Sequence, residues 1–367
     1  MTSIPAAHRL MTRKAALGET VQDTLPAGQL APGEAVLKLD RFSITANNIT
    51  YAVFGDAMQY WNFFPTGDPA LGHMPVWGFA SVIASTVAGV EVGERFYGYF
   101  PVASHLVMRP ERVTGRGFFD GIEHRNALVS AYNQYTRCSG DAGYAPATEN
   151  LQALFRPLFI TAFMLADYVV DNEGFGARRL LVSSASSKTA YGTAACLDGA
   201  GYERIGLTSG RNTGFVEGLG CYDRVVDYAA IEALPADQPV TYLDFSGDPE
   251  LRARIHHHFG EALVHDCVIG SAGATKLNAP VALPGPRPQF FFAPNQIAKR
   301  NTDWGPAEFN RRYGEAERAF FARVSDPSHP WMKVVEHNGF DAAARIIADI
   351  HDGRADPMQG HIVVLGA

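Results

Sequence analysis

Cysteine is scarce in this 367-residue chain: four residues, Cys138, Cys196, Cys221 and Cys267, none in a CxxC pair. That excludes a disulfide framework and a thiolate zinc cluster, and it fits a reducing compartment. An excess of positive charge is also missing. The net charge is −7 at pH 7, so neither nucleic acid nor an anionic membrane surface is an expected partner, because both demand a basic field. The opening MTSIPAAHRLMTRK holds no apolar signal core, and no uninterrupted apolar run of bilayer-spanning length follows. A cytoplasmic protein is the expectation. One further absence matters most: glycines are missing from the turn where a dinucleotide-binding fingerprint would carry them.

What is present is a globular composition, 47% hydrophobic and 19% charged, in a chain long enough for two domains. Residues 1 to about 30 read as a loose lead-in. From Glu34 to Gly55, Val36, Leu37, Leu39, Phe42, Ile44 and Ile49 alternate imperfectly with polar residues, which predicts strands. More strands are expected over 76–110, punctuated by glycines, giving a β-rich N-terminal unit. Leu151–Val170 is apolar at helical spacing, with Pro157 marking a kink or a helix start. Beyond it, short apolar strands alternate with helices: RRLLVSS, KTAYGTAACLDGA, RIGLTS, GFVEGLG, RVVDY, VTYLDFS, DPELRARIHHHFG, DCVIGSA. Such alternation predicts a parallel sheet with a helix in each crossover. PQFFFAP adds a strand, PAEFNRRYGEAERAFFARV an amphipathic helix, and the tail a helix and a terminal strand. The fold class is α/β.

The stretch LLVSSASSKTAYG, Leu180–Gly192, reads as strand, tight turn and helix start. In a βαβ nucleotide fold the pyrophosphate lies over that helix N-terminus, where unpaired N–H groups and the helix dipole attract it. Small residues let backbone approach phosphate. Ala185, Ser186, Ser187, Lys188, Thr189 and Ala190 fit an A-x-G-x-x-G spacing with Ser187 and Ala190 in the glycine places. The Ser184, Ser186 and Ser187 hydroxyls and the Lys188 ammonium are further donors. The same residues also suit an ordinary βα corner. The next strand ends in Ser209-Gly210-Arg211-Asn212. An NAD site places an acid there for the ribose hydroxyl; a serine and an arginine instead favour the 2′-phosphate of NADP. In IHHHF, His256–His258, adjacent side chains diverge by about a hundred degrees around a helix. A solvated helix face or cap is therefore expected there, and no metal site.

The order of these elements resembles the medium-chain dehydrogenase/reductase superfamily, in its zinc-free quinone and enoyl reductase branch, and within it the DUF2855 family. ITANNITYAVFG, IASTVAGVEVGERFYGY, FITAFMLAD, GCYDRVVDY and QGHIVVL are similar to that superfamily's characteristic stretches. The resemblance implies a GroES-like β-rich domain over 1–155 and 325–367 and a Rossmann doubly wound domain over 156–324. It departs from the zinc branch at Trp77-Gly78-Phe79, where a G-H-E box would stand, and it lacks the four-cysteine loop. No metal is expected.

By the same resemblance the cofactor is NADP(H). Thr161 stands beside the nicotinamide, Ser246, Gly247, Gly270 and Ser271 at the sheet's carboxyl edge, and Tyr228 at the adenosine end. Phe290–Pro294, including Phe292 and Ala293, runs past the nicotinamide as an apolar wall. Asn48, Tyr51 and Tyr60 are the candidate catalytic residues, since hydride addition to an activated C=C bond places charge on a carbonyl oxygen that a positioned donor stabilises. The expected activity is transfer of hydride from NADPH to a small hydrophobic or aromatic enone, quinone or related carbonyl. A zinc-free carbonyl reductase or alcohol dehydrogenase, and a non-catalytic NADP-binding sensor or accessory protein, are the alternatives. A homodimer is implied by resemblance alone.

Overall fold

The computed structural model of the chain describes residues 3–270 and 283–366. The chain divides into two units, residues 1–154 with 334–367, and residues 155–333.

The first unit is GroES-like and β-rich. Strand Val76–Ser85 pairs antiparallel with Ala35–Ile44 on one side and Arg95–Phe100 on the other, and the terminal strand Gln359–Val364 adds to Ala35–Ile44. Leu37, Leu39, Phe42, Val76, Ala80 and Phe96 form its buried core. The lead-in expected over residues 1–30 is instead a hairpin, Ala7–Arg13 against Ala16–Leu25, with Leu10 and Met11 buried. Its two-residue turn at Lys14-Ala15 has none of the glycine or asparagine that flags a hairpin in sequence. The strand pattern expected through Ile49 also stops early. Ala46–Val53 is a helix, because Thr45 and Asn48 form a reciprocal capping box that starts it.

Helix Glu149–Asp171 carries Pro157 in its interior. Proline has no N–H, so the carbonyl four residues earlier, that of Ala153, loses its helical donor. The buried Ser43 hydroxyl replaces it, donating to the Ala153 carbonyl at 2.8 Å. The helix therefore runs through the proline. It is long and apolar enough by composition to cross a bilayer, and 56% of its apolar window is buried within the protein.

The second unit is a Rossmann domain. Its parallel strands are β1 Arg179–Val182, β2 Glu203–Thr208, β3 Arg224–Asp227, β4 Val240–Asp244, β5 Leu263–Val268 and β6 Gln289–Phe290. They lie in the order 3-2-1-4-5-6, each neighbouring pair parallel. Alternation along β1 shows the double winding. Leu180 and Val182 pack with Met164, Leu165 and Val169, while Leu181 packs with Ile205, Tyr242 and Ile255 on the opposite face. Both faces are covered, which is why β1 is apolar at successive positions. Strand order reverses between β1 and β4, and ligands of such sheets bind at the carboxyl ends there. The chain leaves this unit at Val334, later than the expected 325. Trp331 causes the shift: it is buried, with its ring 5.6 Å from that of Tyr191 and 6.3 Å from Phe320.

Candidate functional site

The bend after β1 is a built turn. Ser184 adopts a left-handed conformation, φ +48°, a region that costs a serine about 1–2 kcal/mol. Neighbouring strands hold it there. The Ser184 N–H donates to the Tyr228 hydroxyl at 2.8 Å, the Ala185 N–H to the Leu207 carbonyl at 3.1 Å, and the Tyr222 hydroxyl to the Ala185 carbonyl at 3.0 Å. Ser187 then caps helix Lys188–Cys196, its hydroxyl accepting from the Ala190 N–H. The first-turn N–H groups, from Lys188 and Thr189, are those a helix cannot pair internally. Together with the Lys188 side chain they make a cationic, donor-rich rim suited to a diphosphate. Tyr228, expected at the adenosine end, instead props the bend and occupies one of its N–H groups.

The loop after β2 reaches this turn: the Asn212 amide donates to the Ser186 hydroxyl at 3.3 Å. Ser209 precedes the short Gly210–Asn212 turn, and Arg211 is exposed. Ser186 and Asn212 are thus neighbours, with Ser209 and Arg211 adjoining Asn212 in the same short loop. A carboxylate also stands there that the sequence pattern did not reveal. Asp227 ends β3, and a Cβ added at Gly210 would lie 2.4 Å from its Oδ2. The expected acid-free pocket is corrected accordingly: β2 ends without an acid, but its neighbour β3 supplies one.

At the carboxyl end of β4 the polar groups serve one another. Asp244 is fully buried, and its Oδ1 accepts from the hydroxyls of Ser183, Tyr242 and Ser246 at 2.8–2.9 Å and from the N–H groups of Ser246 and Gly247 at 2.9 and 3.1 Å. Arg252 pairs with Asp244 and lies 3.2 Å from Asp266. His256 completes the network, its Nε2 2.8 Å from Asp266 and its Nδ1 2.6 Å from the Pro284 carbonyl. Burial opposes its protonation, but these two acceptors outweigh burial and raise its pKa. Ser246 and Gly247, expected as coenzyme contacts, brace Asp244 at this edge of the sheet. The solvated face expected of IHHHF holds at His257, whereas His256 is buried and His258 bonds the Leu234 carbonyl at 2.8 Å. No cluster of three metal-ligating side chains occurs among the described residues.

Of the other expected contacts, Gly270 donates its N–H to the Asp244 carbonyl at 3.3 Å, and Ser271 lies outside the described residues. Thr161 bonds back to the Pro157 carbonyl at 3.4 Å within its helix. Phe290 in β6 is exposed, Phe292 stacks near it at 6.4 Å, and Ala293 opens helix Ala293–Asp303.

The first unit holds a cluster of phenols. Tyr51 and Tyr60 are buried with ring centroids 4.7 Å apart, and Tyr99 and Tyr132 pack at the same 4.7 Å distance. The Trp77 indole donates to the Tyr51 hydroxyl at 3.0 Å, and the Tyr60 and Tyr132 hydroxyls are 3.2 Å apart. Burial raises the pKa of Tyr51, Tyr60, Tyr99 and Tyr132, so each remains a neutral O–H donor at physiological pH. The Tyr51 hydroxyl is bonded by the side chains of Asn47 and Tyr132 as well as by Trp77. Asn48 is corrected. Its Oδ1 accepts from the Thr45 N–H and its Nδ2 donates to the Pro75 carbonyl, each at 2.7 Å, so it caps a helix and ties a loop. Trp77, Tyr99 and Tyr132 were not legible as site residues, because they sit on separate segments without a shared motif.

The family model described as "Protein of unknown function (DUF2855)" matches residues 42–356. Comparison with curated proteins returns no match. Among solved structures, CurA from Vibrio vulnificus aligns with a TM-score of 0.63 at 14% identity, over 100% of this chain and 99% of that one. CurA in complex with NADPH, from the same organism, aligns with a TM-score of 0.61 at 14% identity, over 98% and 99%. The yhdH oxidoreductase from Salmonella enterica, in complex with NADP, gives 0.53 at 15%, over 98% and 100%. At these identities the likeness is one of fold.

Proposed function

Given that this chain belongs to the DUF2855 family, we propose that it is an NADP(H)-dependent, metal-independent oxidoreductase. Its substrate on this reading is a small hydrophobic or aromatic enone, quinone or related activated carbonyl. One observation carries the coenzyme assignment. The serine turn after β1 stands at the strand-order reversal, with the Ser209–Asn212 loop joined to it through Asn212 and Ser186. Two structures of like fold are complexes with NADPH and NADP, which supports the same choice.

The residues fit such a group: a helix N-terminus and Lys188 for the diphosphate, Ser209 and Arg211 for a 2′-phosphate. Bound there, the coenzyme supplies hydride. The chain's task is to receive the charge that hydride addition leaves on the substrate oxygen. Tyr51 serves that end as a neutral O–H donor oriented by Trp77, with Tyr132 and Tyr60 as the proton reserve behind it. A coenzyme-binding protein without turnover is the second reading, favoured by the burial of Tyr51 and Tyr60, which leaves these phenols little surface for a substrate.

Fluorescence titration with NADPH and NADH, then an absorbance screen of NADPH oxidation with enones, quinones and ketones, tests both. Saturable NADPH binding with turnover of an enone or quinone is expected. Binding without turnover selects the second reading, and failure to bind either coenzyme overturns both.

A further inference from the structure

His256 sits in a buried charge network whose balance its own proton sets. Asp244, Asp266 and His256 are fully buried, and Arg252 pairs with both carboxylates. With His256 an imidazolium, two cations meet two carboxylates. With the ring neutral, one buried negative charge is uncompensated, which is costly.

The ring geometry says the same. Nε2 lies 2.8 Å from Asp266 Oδ2 and Nδ1 lies 2.6 Å from the Pro284 carbonyl oxygen. A neutral imidazole has a single N–H, and an ionised carboxylate or a carbonyl only accepts. Filling both contacts therefore takes two protons on the His256–Asp266 pair, one of them between Nδ1 and Pro284.

That second contact holds a segment with few other bonds. Residues 283–288 read Leu-Pro-Gly-Pro-Arg-Pro, and their three prolines have no N–H to donate. Gly285, at φ +83°, is seated against the end of helix Pro249–Phe259: an added Cβ would lie 3.0 Å from the Gly260 carbonyl oxygen and 3.9 Å from His256 Nδ1. The segment leads directly into β6, which is two residues long and pairs with β5 at Cys267 and Val268, the Phe291 N–H adding a bond to the Val268 carbonyl at 2.9 Å.

When the pair gives up one proton to solvent, the remaining N–H stays with the Asp266 carboxylate, the stronger acceptor. A Nδ1 lone pair then faces the Pro284 carbonyl oxygen, and the contact turns from attractive to repulsive. We propose that His256 is a pH-sensitive latch on the chain entering β6: doubly protonated it fastens Pro284, and on losing a proton it releases residues 283–288 and loosens β6 from β5. Among the described residues, the charged groups facing the ring are Asp266 on β5 and Arg252 on the preceding turn of its own helix, with Asp244 of β4 behind Arg252. Arg287, in the segment itself, is exposed. The pKa of His256 is raised in the fold, so the latch is closed below the ordinary histidine value of about 6.5 and opens as pH rises through the folded value. The latch is independent of the coenzyme assignment.

Hydrogen exchange of the full-length protein, followed by mass spectrometry on peptides covering 284–292 and corrected for the intrinsic pH dependence of amide exchange, tests this. From about pH 6 upward, protection of the amides of Gln289, Phe290 and Phe291 is expected to fall about tenfold or more, while that of β4 holds. His256→Gln does not titrate and is expected to abolish the pH dependence. Nitrogen-15 signals of the His256 ring in the native protein need no variant, and decide the matter should His256→Gln not fold: Nδ1 is expected to be protonated at about pH 6 and to be the nitrogen that loses its proton as pH rises. Wild-type protection that does not change with pH overturns the proposal. So does the same pH profile in His256→Gln, or a ring whose Nδ1 already lacks a proton at the acid end.

Discussion

Coenzyme choice turns on a carboxylate and a guanidinium at one loop, and Asp227→Asn isolates the carboxylate. Asp227 Oδ1 caps the turn that follows, accepting from the Ala229 N–H at 2.8 Å, while Oδ2 abuts Gly210. Asparagine keeps the capping acceptor and removes the charge. If a 2′-phosphate sits among Ser209, Arg211 and Asn212, the native carboxylate repels it. Two unit charges about 4 Å apart interact by about 1 kcal/mol in water and about 4 kcal/mol at an effective dielectric of about 20. Asp227 is half-buried beside exposed Arg211, so the lower end applies. Asp227→Asn should tighten NADPH about five- to tenfold and leave NADH unchanged or weaker. Arg211→Ala should do the reverse, weakening NADPH far more than NADH. Fluorescence titrations at low and at about 0.5 M salt provide the measurement, since screening shrinks the Asp227→Asn effect. An NADPH-to-NADH affinity ratio that is the same in wild type and both variants refutes the placement of the 2′-phosphate at this loop.

Four further outcomes follow from the geometry. Tyr51→Phe should lower kcat at least tenfold with coenzyme affinity near normal, and an unchanged rate removes Tyr51 from the chemistry. Ser184→Gly should raise stability by about 1 kcal/mol, as the left-handed cost of serine is partly offset by glycine's greater unfolded entropy; a lower urea midpoint contradicts the strain. Ser43→Ala should cost about 1–3 kcal/mol by leaving the Ala153 carbonyl unpaired, and almost nothing in a Pro157→Ala background where the helix N–H returns; equal costs in both denature the explanation. His256 has a raised pKa when folded, so its protonation stabilises the fold fully below the unfolded value of about 6.5 and ceases to do so as pH rises through the folded value. The stability difference between wild type and His256→Gln should accordingly shrink as pH rises above the unfolded value of about 6.5, and a pH-independent difference would sink it.

The parallel sheet was legible because its signal is redundant. Each strand is a short apolar run buried on both faces, and each crossover helix has its own cap or breaker, such as Ser187, Asp248-Pro249 and Gly220. The hairpin at Lys14-Ala15 and the helix after Thr45 were not, since one turn uses residues without turn preference and the other is capped by an asparagine where glutamate or glutamine is usual. In the candidate site, contacts carried by neighbouring segments of one motif came through, as with Ser186 and Asn212. Those assembled across the fold did not. Asp227 reaches Gly210 from the adjacent strand, and Tyr132 reaches Tyr60 across seventy-two positions of sequence. His256 shows the same limit: its helix neighbours say solvent, and only the partner strand β5, with Asp266, says otherwise.

The missing glycines have a physical counterpart elsewhere in the domain. A glycine-rich turn lets the chain bend sharply and lets backbone approach backbone. Here the sharp bend is held by two phenols, Tyr228 on the Ser184 N–H and Tyr222 on the Ala185 carbonyl. The close approach is granted by Gly206 on β2, where an added Cβ would come within 3.0 Å of both the Ala185 Cβ and the Tyr222 ring. The glycine has moved from the turn to the strand beside it, and Tyr222 occupies the space its absent side chain leaves. Such a turn is stiffer than one made of glycines, because its shape depends on packed aromatic side chains as well as on backbone preference. It also exposes fewer N–H groups, so more of the hold on a diphosphate must come from the helix N-terminus and from Lys188. The serine turn is therefore a different solution to the same geometric demand.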